Sequence, residues 1–209
     1  MKLKNIFISA ALALVATGCN FLEVPPTGTL DEELALQSPD RMVTAAYASL
    51  GADWYTYPFN LWPYGDLASD DCLKGGSGTT DTDYHPVEVW SSLTPSQPGH
   101  MDELWYRLYV AISRANNALI AIENEQKAEK KHSELTPEDL KKLEAEAHFL
   151  RGHFYFKLVQ LFYQVPWIDE NTIRESKHET TTNVALSHDQ LMDTIAADFR
   201  FAYNPLSIV

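Results

Sequence analysis

One long stretch, residues 140–166, organises this sequence, and it reads LKKLEAEAHFLRGHFYFKLVQLFYQVP. Apolar residues recur in it at spacings of three and four, which places them on one face of an α-helix. They are Leu140, Leu143, Ala147, Leu150, Phe154, Leu158 and Leu161. At about 100° per residue, a second stripe lies nearly opposite the first and consists of Ala145, Phe149, Phe156, Val159 and Tyr163. The pattern predicts a helix that is buried on two opposite faces, as in a stack of helices.

Both ends of this helix are marked. Thr136 can cap the free amides of the first turn, Pro137 suits the first helical position, and the acidic residues 138–139 complement the helix dipole. Val165-Pro166 predicts the end, because a residue before proline is disfavoured in the helical region. The polar residues remain on two flanks: His153, Lys157, Gln160 and Gln164 on one, and His148, Arg151 and Tyr155 on the other.

Three other segments carry helical patterns. A helix opened by Ser38-Pro39 ends at Gly51, a longer one covers residues 101–124, and a capping box of Ser187 and Gln190 starts the last one. Their inward-facing positions are Val43, Ala46, Tyr47 and Leu50; Leu104, Leu108, Ile112, Ala115, Leu119 and Ile122; and Leu191, Ile195, Phe199 and Ala202. The charged run 125–134 and the irregular run 167–186 connect the helices.

The N-terminus has the pattern of an exported lipoprotein. A short basic start and an apolar run from Ile6 to Val15 precede Cys19, and the run is shorter than the ~20 apolar residues that span a bilayer. The ending Ala16-Thr17-Gly18-Cys19 resembles a bacterial lipobox. It implies a signal peptide over residues 1–18, acylation of Cys19 and a lipidated tether over residues 19–37. The alternative is ordinary signal cleavage with Cys19 incidental.

Between residues 52 and 99 the helical periodicity disappears while aromatic residues accumulate around a run rich in glycine, serine and aspartate. A long loop of this kind usually has a function, and its aromatic density argues against disorder. Sugar rings have C–H-rich faces that stack on Trp and Tyr, so the loop is a candidate carbohydrate site. The alternative is that the rings pack the loop onto the helices, since large aromatic residues are mostly buried.

Charge and composition exclude several other functions. The formal net charge is −13 and Lys and Arg are not clustered, which argues against nucleic acid as a partner. The two cysteines cannot form a metal cage by themselves, and the lipobox disfavours a disulfide between Cys19 and Cys72. The histidines are scattered, and neither a phosphate-binding glycine loop nor a nucleophile elbow is present. We predict no metal, cofactor or catalytic site.

The aspartates of the loop are candidates for the carboxylate pair of a glycoside hydrolase. Asp66, Asp70 and Asp71 lie together in one glycine-rich segment, whereas that chemistry needs two carboxyl groups that face a bond across a cleft. Aspartates in such a segment are more often turn formers and helix caps. A hydrolase therefore ranks below a binding protein.

Several motifs together resemble the RagB/SusD family of outer-membrane nutrient-uptake lipoproteins. They are the lipobox cysteine followed by FLE and PP at 21–26, the pattern W-x-x-L-Y-x-x-I-x-x-A-N at 105–116, the run EAHFLRGHFYFKLVQLFYQVPW at 146–167, and Ile195, Asp198, Phe199 and Ala202 in the last helix. Trp105, Tyr109 and Asn116 match the family signature, yet their spacing also suits interhelical packing, and we interpret them as structural. The resemblance covers the chain from about Cys19 to about Ala202.

The resemblance implies an all-α fold of tetratricopeptide-like helix pairs with a long irregular, aromatic-rich loop region. Family members lie at the cell surface of Bacteroidetes, lipid-anchored to the outer membrane, where they cap a SusC-type TonB-dependent transporter and capture glycans or, in some members, peptides. They are not enzymes and use no cofactor. Because their chains are much longer, residues 38–209 resemble the N-terminal helical domain alone, truncated at its C-terminal side.

The family also points to glycan-contacting residues in this chain. Its ligand-contacting aromatics come partly from the irregular region before the W-x-x-L-Y helix, which favours Tyr84 and Trp90. Further candidates in the same loop are Trp54, Tyr57, Trp62 and Tyr64. The rival function is a structural or assembly lipoprotein whose helix stack binds another protein without glycan affinity.

Overall fold

The computed structural model describes residues 35–51, 62–69, 71–73, 75, 85–90 and 101–206. The signal peptide, Cys19 and most of the predicted tether lie outside these residues. The helices within them are α1 (Pro39–Tyr47, followed by a 3-10 turn over Ala48–Leu50), α2 (Trp62–Gly65), α3 (His85–Glu88), α4 (Met101–Lys127), α5 (Pro137–Phe162), α6 (Glu170–Arg174) and α7 (His188–Leu206). The described residues contain no strand. The all-α prediction is confirmed, while the tetratricopeptide-like pairing stays a prediction.

The three long helices pack side by side, with α5 between α4 and α7. Asn116 of α4 meets Arg151 of α5, and further along the pair Gln126 meets Glu144, so the two helices run in opposite directions. Likewise, α5 and α7 are antiparallel, because His148 meets Asp198 while Tyr163 meets His188. Helix α1 packs against both α4 and α5.

The sequence signals for the starts of α5 and α7 are confirmed, whereas Ser38 precedes Pro39 at the start of α1 without a capping hydrogen bond from its side chain. Thr136 caps α5 by accepting a hydrogen bond from the Asp139 backbone N–H at 3.1 Å, and the Asp139 carboxylate accepts one from the Thr136 N–H at 3.0 Å. This reciprocal pair is a capping box, with Pro137 at the first position. Ser187 and Gln190 form the same arrangement at the start of α7, at 2.9 and 3.3 Å.

The predicted end of α5 at Val165-Pro166 was wrong, because the helix ends three residues earlier at Phe162. Tyr163 leaves the helix with φ 62° and ψ −53°, and the Gln164 N–H donates to the Phe162 carbonyl at 2.6 Å. This is a γ-turn with positive φ. The helix therefore ends at this turn, before the chain reaches the residue that precedes the proline.

The main core lies where α4, α5 and α7 meet. It contains Leu104, Leu108, Ile112 and Ala115 of α4, Leu150, Phe154 and Leu158 of α5, and Leu191 and Ile195 of α7. A second cluster joins Val43 of α1 to Leu119 and Ile122 of α4 and to Leu140 and Ala147 of α5. Every position of the predicted inner stripe of α4 is therefore buried, as is Ala202 of α7. At Gly152, an added Cβ would lie 3.2 Å from Asp198 Cβ and 3.3 Å from the Phe199 ring. A side chain here would be crowded against α7, so the glycine favours the close approach of the two helices.

The prediction that α5 is buried on two opposite faces was wrong in part. Ala145 and Val159 of the second stripe are buried, but Phe149, Phe156 and Tyr163 are exposed. One of the two flanks that carry the polar residues, the one with Arg151 and Tyr155, is buried. Tyr155 and Arg151 retain 0% and 4% of their accessible surface. The reason is geometric: α4 and α7 lie on neighbouring sides of α5 and close over the flank between them.

Smaller corrections concern the connections and α1. Helix α4 continues to Lys127, beyond the predicted end at 124, and carries the buried Glu125 into the run expected to be solvated. Short helices occur in both regions that were predicted to be irregular. In α1, Val43 and Ala46 are buried as expected, whereas Tyr47 and Leu50, assigned to the inner face, are exposed.

Candidate functional site

Trp90 is a large apolar side chain that the fold leaves in solvent. It lies just after α3 with 79% of its surface exposed and a positive φ of 51°. Its indole N–H donates to the Ala68 carbonyl at 3.1 Å. One edge of the ring is therefore tied to a segment 22 residues earlier in the chain while the ring itself is presented outward.

Tyr64 has a different role from Trp90. It lies in α2, is half-buried, and packs against the main core. Burial raises the pKa of its phenol, and Leu67 beside it is fully enclosed. These two side chains anchor the segment that carries the Ala68 carbonyl, to which Trp90 is bonded. This placement favours the packing interpretation for Tyr64.

For the remaining predicted glycan-binding residues, the described part of the chain gives only the position of Trp62 in a helix. Trp62 is the first residue of α2. Trp54, Tyr57 and Tyr84, as well as the lipidation candidate Cys19, lie outside the described residues. Their proposed contacts stay predictions.

The aspartate-rich loop is built as a turn. Ser69 Oγ donates to the Asp66 carbonyl at 2.8 Å and accepts from the Asp71 N–H at 3.2 Å. These bonds use backbone atoms of the two aspartates and Asp70 lies outside the described residues, so a turn-forming role of the aspartate side chains stays a prediction. The Cys72 thiol is free. Across the described ranges, no group of three or more His, Cys, Asp or Glu side chains is arranged to hold a metal ion.

A buried polar cluster centred on Arg151 connects four helices. The guanidinium of Arg151 in α5 binds both carboxylate oxygens of Asp198 in α7 at 2.8 Å. It also donates to the Asn116 side chain of α4 at 3.1 Å and to the Glu170 carboxylate of α6. His148 completes the cluster, with Nδ1 2.7 Å from Asp198 Oδ1. Because a carboxylate only accepts, this nitrogen carries the hydrogen.

The charged groups of this cluster stabilise one another in their ionised forms. Burial raises the pKa of Asp198, but the hydrogen bonds from Arg151 and His148 outweigh burial and lower the pKa below its ordinary value. The carboxylate therefore stays ionised against a guanidinium that stays protonated. With its oxygens engaged by neighbours, Asp198 is held as a structural anion and is not poised as a proton donor. Its role here is to join helices.

Sequence reasoning missed this cluster because it placed Arg151 and His148 on a polar flank of the helix without identifying partners for them. The usable signal was the match of Asp198 to the family spacing in the last helix, since an acidic residue between inward-facing positions needs a cationic partner. The interpretation of Asn116 as structural is confirmed: it is fully buried and donates to the Ile168 carbonyl at 2.9 Å.

Three side chains of the long helices hold the segment after α5 by its backbone. The Tyr109 hydroxyl donates to the Pro166 carbonyl at 2.7 Å, and the Tyr155 hydroxyl donates to the Ile168 carbonyl at 2.9 Å while accepting from the Ile168 N–H at 2.6 Å. The third is Asn116. Burial raises the pKa of both tyrosines, so both hydroxyls remain donors. Trp167, within this segment, stacks on Tyr155 at 4.1 Å.

A second buried carboxylate organises the connection between α4 and α5. Glu125 Oε1 accepts from the Ser133 N–H and hydroxyl at 3.0 and 2.8 Å and from the His132 N–H at 3.0 Å. Burial raises the pKa of Glu125, but these bonds outweigh burial and lower the pKa to about 2. The run predicted to be a solvated connection thus folds around one ionised side chain.

None of the helices in the described residues combines the length and the apolar character needed to cross a bilayer. A model of the SusD-like family, described as starch-binding proteins associating with the outer membrane, matches residues 28–207. SusD-like protein P2 of Formosa agariphila is 26% identical over 210 aligned positions, which cover 96% of this chain and 37% of that protein. The chain thus spans little more than a third of the length of this relative. The extent of the family match and the order of its motifs show that the chain belongs to the SusD-like family.

Proposed function

We propose that this chain is the N-terminal helical part of a surface-exposed outer-membrane lipoprotein that binds glycans and delivers them to a SusC-type TonB-dependent transporter. The family is described as starch-binding and as associating with the outer membrane, and its members are binding proteins rather than enzymes. Starch-derived or other polysaccharide-derived oligosaccharides are therefore the ligands to test first.

The observation that carries the proposal is the geometry of Trp90. Its ring is largely exposed, and its indole N–H is tied to Ala68. A preorganised aromatic face suits the C–H-rich face of a sugar ring, because little conformational freedom is lost when the two stack. No covalent chemistry is involved: the ring stacks on the sugar, polar groups bind its hydroxyls, and the transporter moves the ligand.

The test is affinity electrophoresis of the whole chain in native gels that contain soluble starch, xylan or laminarin. From the retardation we expect Trp90→Ala to raise the dissociation constant for the bound polysaccharide by about three- to tenfold, the range that corresponds to one stacking contact. Tyr106→Ala is the matched control, because Tyr106 is also an exposed aromatic residue, at 66%, but lies on α4. Its retardation should equal that of the parent chain.

Unchanged retardation of Trp90→Ala would remove Trp90 from the glycan site. If none of the polysaccharides retards the parent chain, the assembly-lipoprotein alternative takes precedence over glycan capture.

The membrane anchor is tested separately. Expression in a bacterium with labelled palmitate should label the parent chain and leave Cys19→Ala unlabelled, because the thiol of Cys19 is the proposed acyl acceptor. Cys72→Ala removes the other cysteine and should keep its label. Labelling that survives Cys19→Ala would contradict the lipobox interpretation.

A further inference from the structure

The turn after α5 exposes a second aromatic group, formed by Tyr163 and His188. The two rings are parallel, with centroids 4.2 Å apart and planes inclined by 5°. His188 Nδ1 lies 2.9 Å from the Tyr163 carbonyl oxygen. Because a carbonyl only accepts, Nδ1 carries the hydrogen, and Nε2 of the neutral ring is then an acceptor. One face of the Tyr163 ring is covered by His188, while 65% of the residue remains exposed.

The backbone at Tyr163 is unfavourable for any residue with a side chain. Its φ of 62° and ψ of −53° belong to the γ-turn with positive φ, which is rare and strained. Glycine is the usual residue after the last turn of a helix because it has no Cβ. The hydrogen bonds of this turn join backbone atoms of residues 159, 162, 163 and 164, so glycine would preserve all of them. A tyrosine here is not required by the fold.

The same combination occurs at Trp90. In the described residues, the non-glycine residues with positive φ are Trp90, Tyr163 and Ser176. The two aromatic members are both exposed, and the polar edge of each group donates to a backbone carbonyl: the indole of Trp90 to Ala68, and the imidazole stacked on Tyr163 to Tyr163 itself. Strained backbone that presents a fixed, exposed ring is a feature of ligand contacts, where conformation is maintained at a cost in stability.

We propose that the Tyr163–His188 pair is a second sugar-binding subsite of this protein, separate from Trp90. The outer face of the Tyr163 ring stacks on a pyranose ring, and the Tyr163 hydroxyl and His188 Nε2 are the polar groups that receive the sugar hydroxyls. The ligand class rests on the proposed glycan-binding function. The location rests on the geometry of the turn alone.

The test combines polysaccharide affinity with thermal unfolding. Tyr163→Gly removes the ring and relieves the backbone, so we expect three- to tenfold weaker retardation by the same polysaccharide panel and a thermal midpoint at or above that of the parent. Ser176→Gly is the matched control, because it relieves a positive φ of 52° without removing a ring. It should keep the parent affinity. Tyr163→Phe, which retains the stacking face, should lose less affinity than Tyr163→Gly.

Three other outcomes would contradict the proposed subsite. If Tyr163→Gly binds like the parent while Trp90→Ala is weakened, the subsite is absent and the proposed function stands. A thermal midpoint of Tyr163→Gly several degrees below the parent would make the ring a packing residue. If no polysaccharide retards the parent, the proposed function and the subsite both fall.

Discussion

Arg151 in the helix stack and Trp90 in the loop reverse what their residue types suggest. Arginine is usually exposed and tryptophan largely buried, yet here Arg151 retains 4% of its surface and Trp90 retains 79%. The difference lies in the neighbours. Three helices direct polar partners at the guanidinium of a fourth, whereas in the described residues the loop holds the indole through the hydrogen bond at its edge. In the stack, side-chain chemistry maintains the fold; in the loop, it remains available to a ligand.

The largest effect expected is at Arg151. Replacing it with Met leaves the carboxylates of Asp198 and Glu170 without their cation, and Asp198 is buried. We expect the free energy of unfolding in urea to fall by about 3–5 kcal/mol, the range found for a broken buried ion pair. Arg200→Met, two residues from Asp198 and exposed, should change it by less than ~0.5 kcal/mol. Similar losses for both variants would show that the cluster is not the structural centre of the stack.

The next effect is at Glu125, whose side chain is 1% exposed. Lowering the pKa of Glu125 from 4.5 to about 2 corresponds to about 3 kcal/mol of stabilisation by the charged form. Glu125→Gln should therefore lose about 2–3 kcal/mol at pH 7, because an amide cannot accept all of the donated hydrogen bonds. The exposed Glu129→Gln is the control for the loss of one charge.

The same variant tests the pH dependence. Since folding lowers the pKa of Glu125, its contribution is complete above pH 4.5 and is lost as the pH falls from about 4.5 towards 2. Across this pH window the free energy of unfolding in urea should fall further for the parent chain than for Glu125→Gln. Equal slopes for the two proteins would mean that Glu125 is not ionised against Ser133 and His132 in the folded state.

The smallest effect on stability is expected at Trp90, and Trp167 sharpens the contrast. Trp167 is half-buried, stacks on Tyr155 and lies 5.4 Å from the Arg151 guanidinium, so Trp167→Ala should lower the free energy of unfolding by more than ~1 kcal/mol. Trp90→Ala removes little buried surface and should change it by less than ~0.5 kcal/mol. A comparable loss at Trp90 would make that residue part of the packing and weaken its case as a ligand platform.

The sequence predicted the helices well because their signals are local. The caps at Thr136 and Ser187 and the inner stripe of α4 are set by residues three or four apart, and the structure confirms them. Burial around α5 was predicted less well, because it depends on the directions from which α4 and α7 approach. Gly152 allows a close contact with α7, and Phe149, one turn earlier, meets the Phe199 ring of the same helix yet stays 41% exposed. One-dimensional periodicity contains no information about those directions.

The candidate site was predicted only in part. The loop was identified from aromatic content, which cannot distinguish the exposed Trp90 from the half-buried Tyr64, because both have the same composition signal. Tyr163 was assigned to a buried stripe because the helix was expected to reach Val165, whereas the γ-turn rotates its ring outward. The family resemblance could be recognised from the sequence although these contacts could not. The order and spacing of motifs are written in the sequence, whereas the burial of a single side chain depends on the three-dimensional packing.

The segment that Tyr109, Asn116 and Tyr155 hold by its backbone has a consequence for how such a chain can diverge. Every residue type supplies a carbonyl, so Pro166 can change identity without breaking its bond, and Ile168 can become any residue that keeps a backbone N–H, which excludes proline. Tyr109, Tyr155 and Asn116 cannot be replaced in the same way, because their side chains are the donors. The number of residues between α5 and Ile168 cannot change either, because one inserted residue would move each carbonyl away from its donor. Along this stretch we expect relatives to keep the length of the chain and the three donor side chains, while the identities of residues 166 and 168 vary and Trp167 is retained by its stacking on Tyr155.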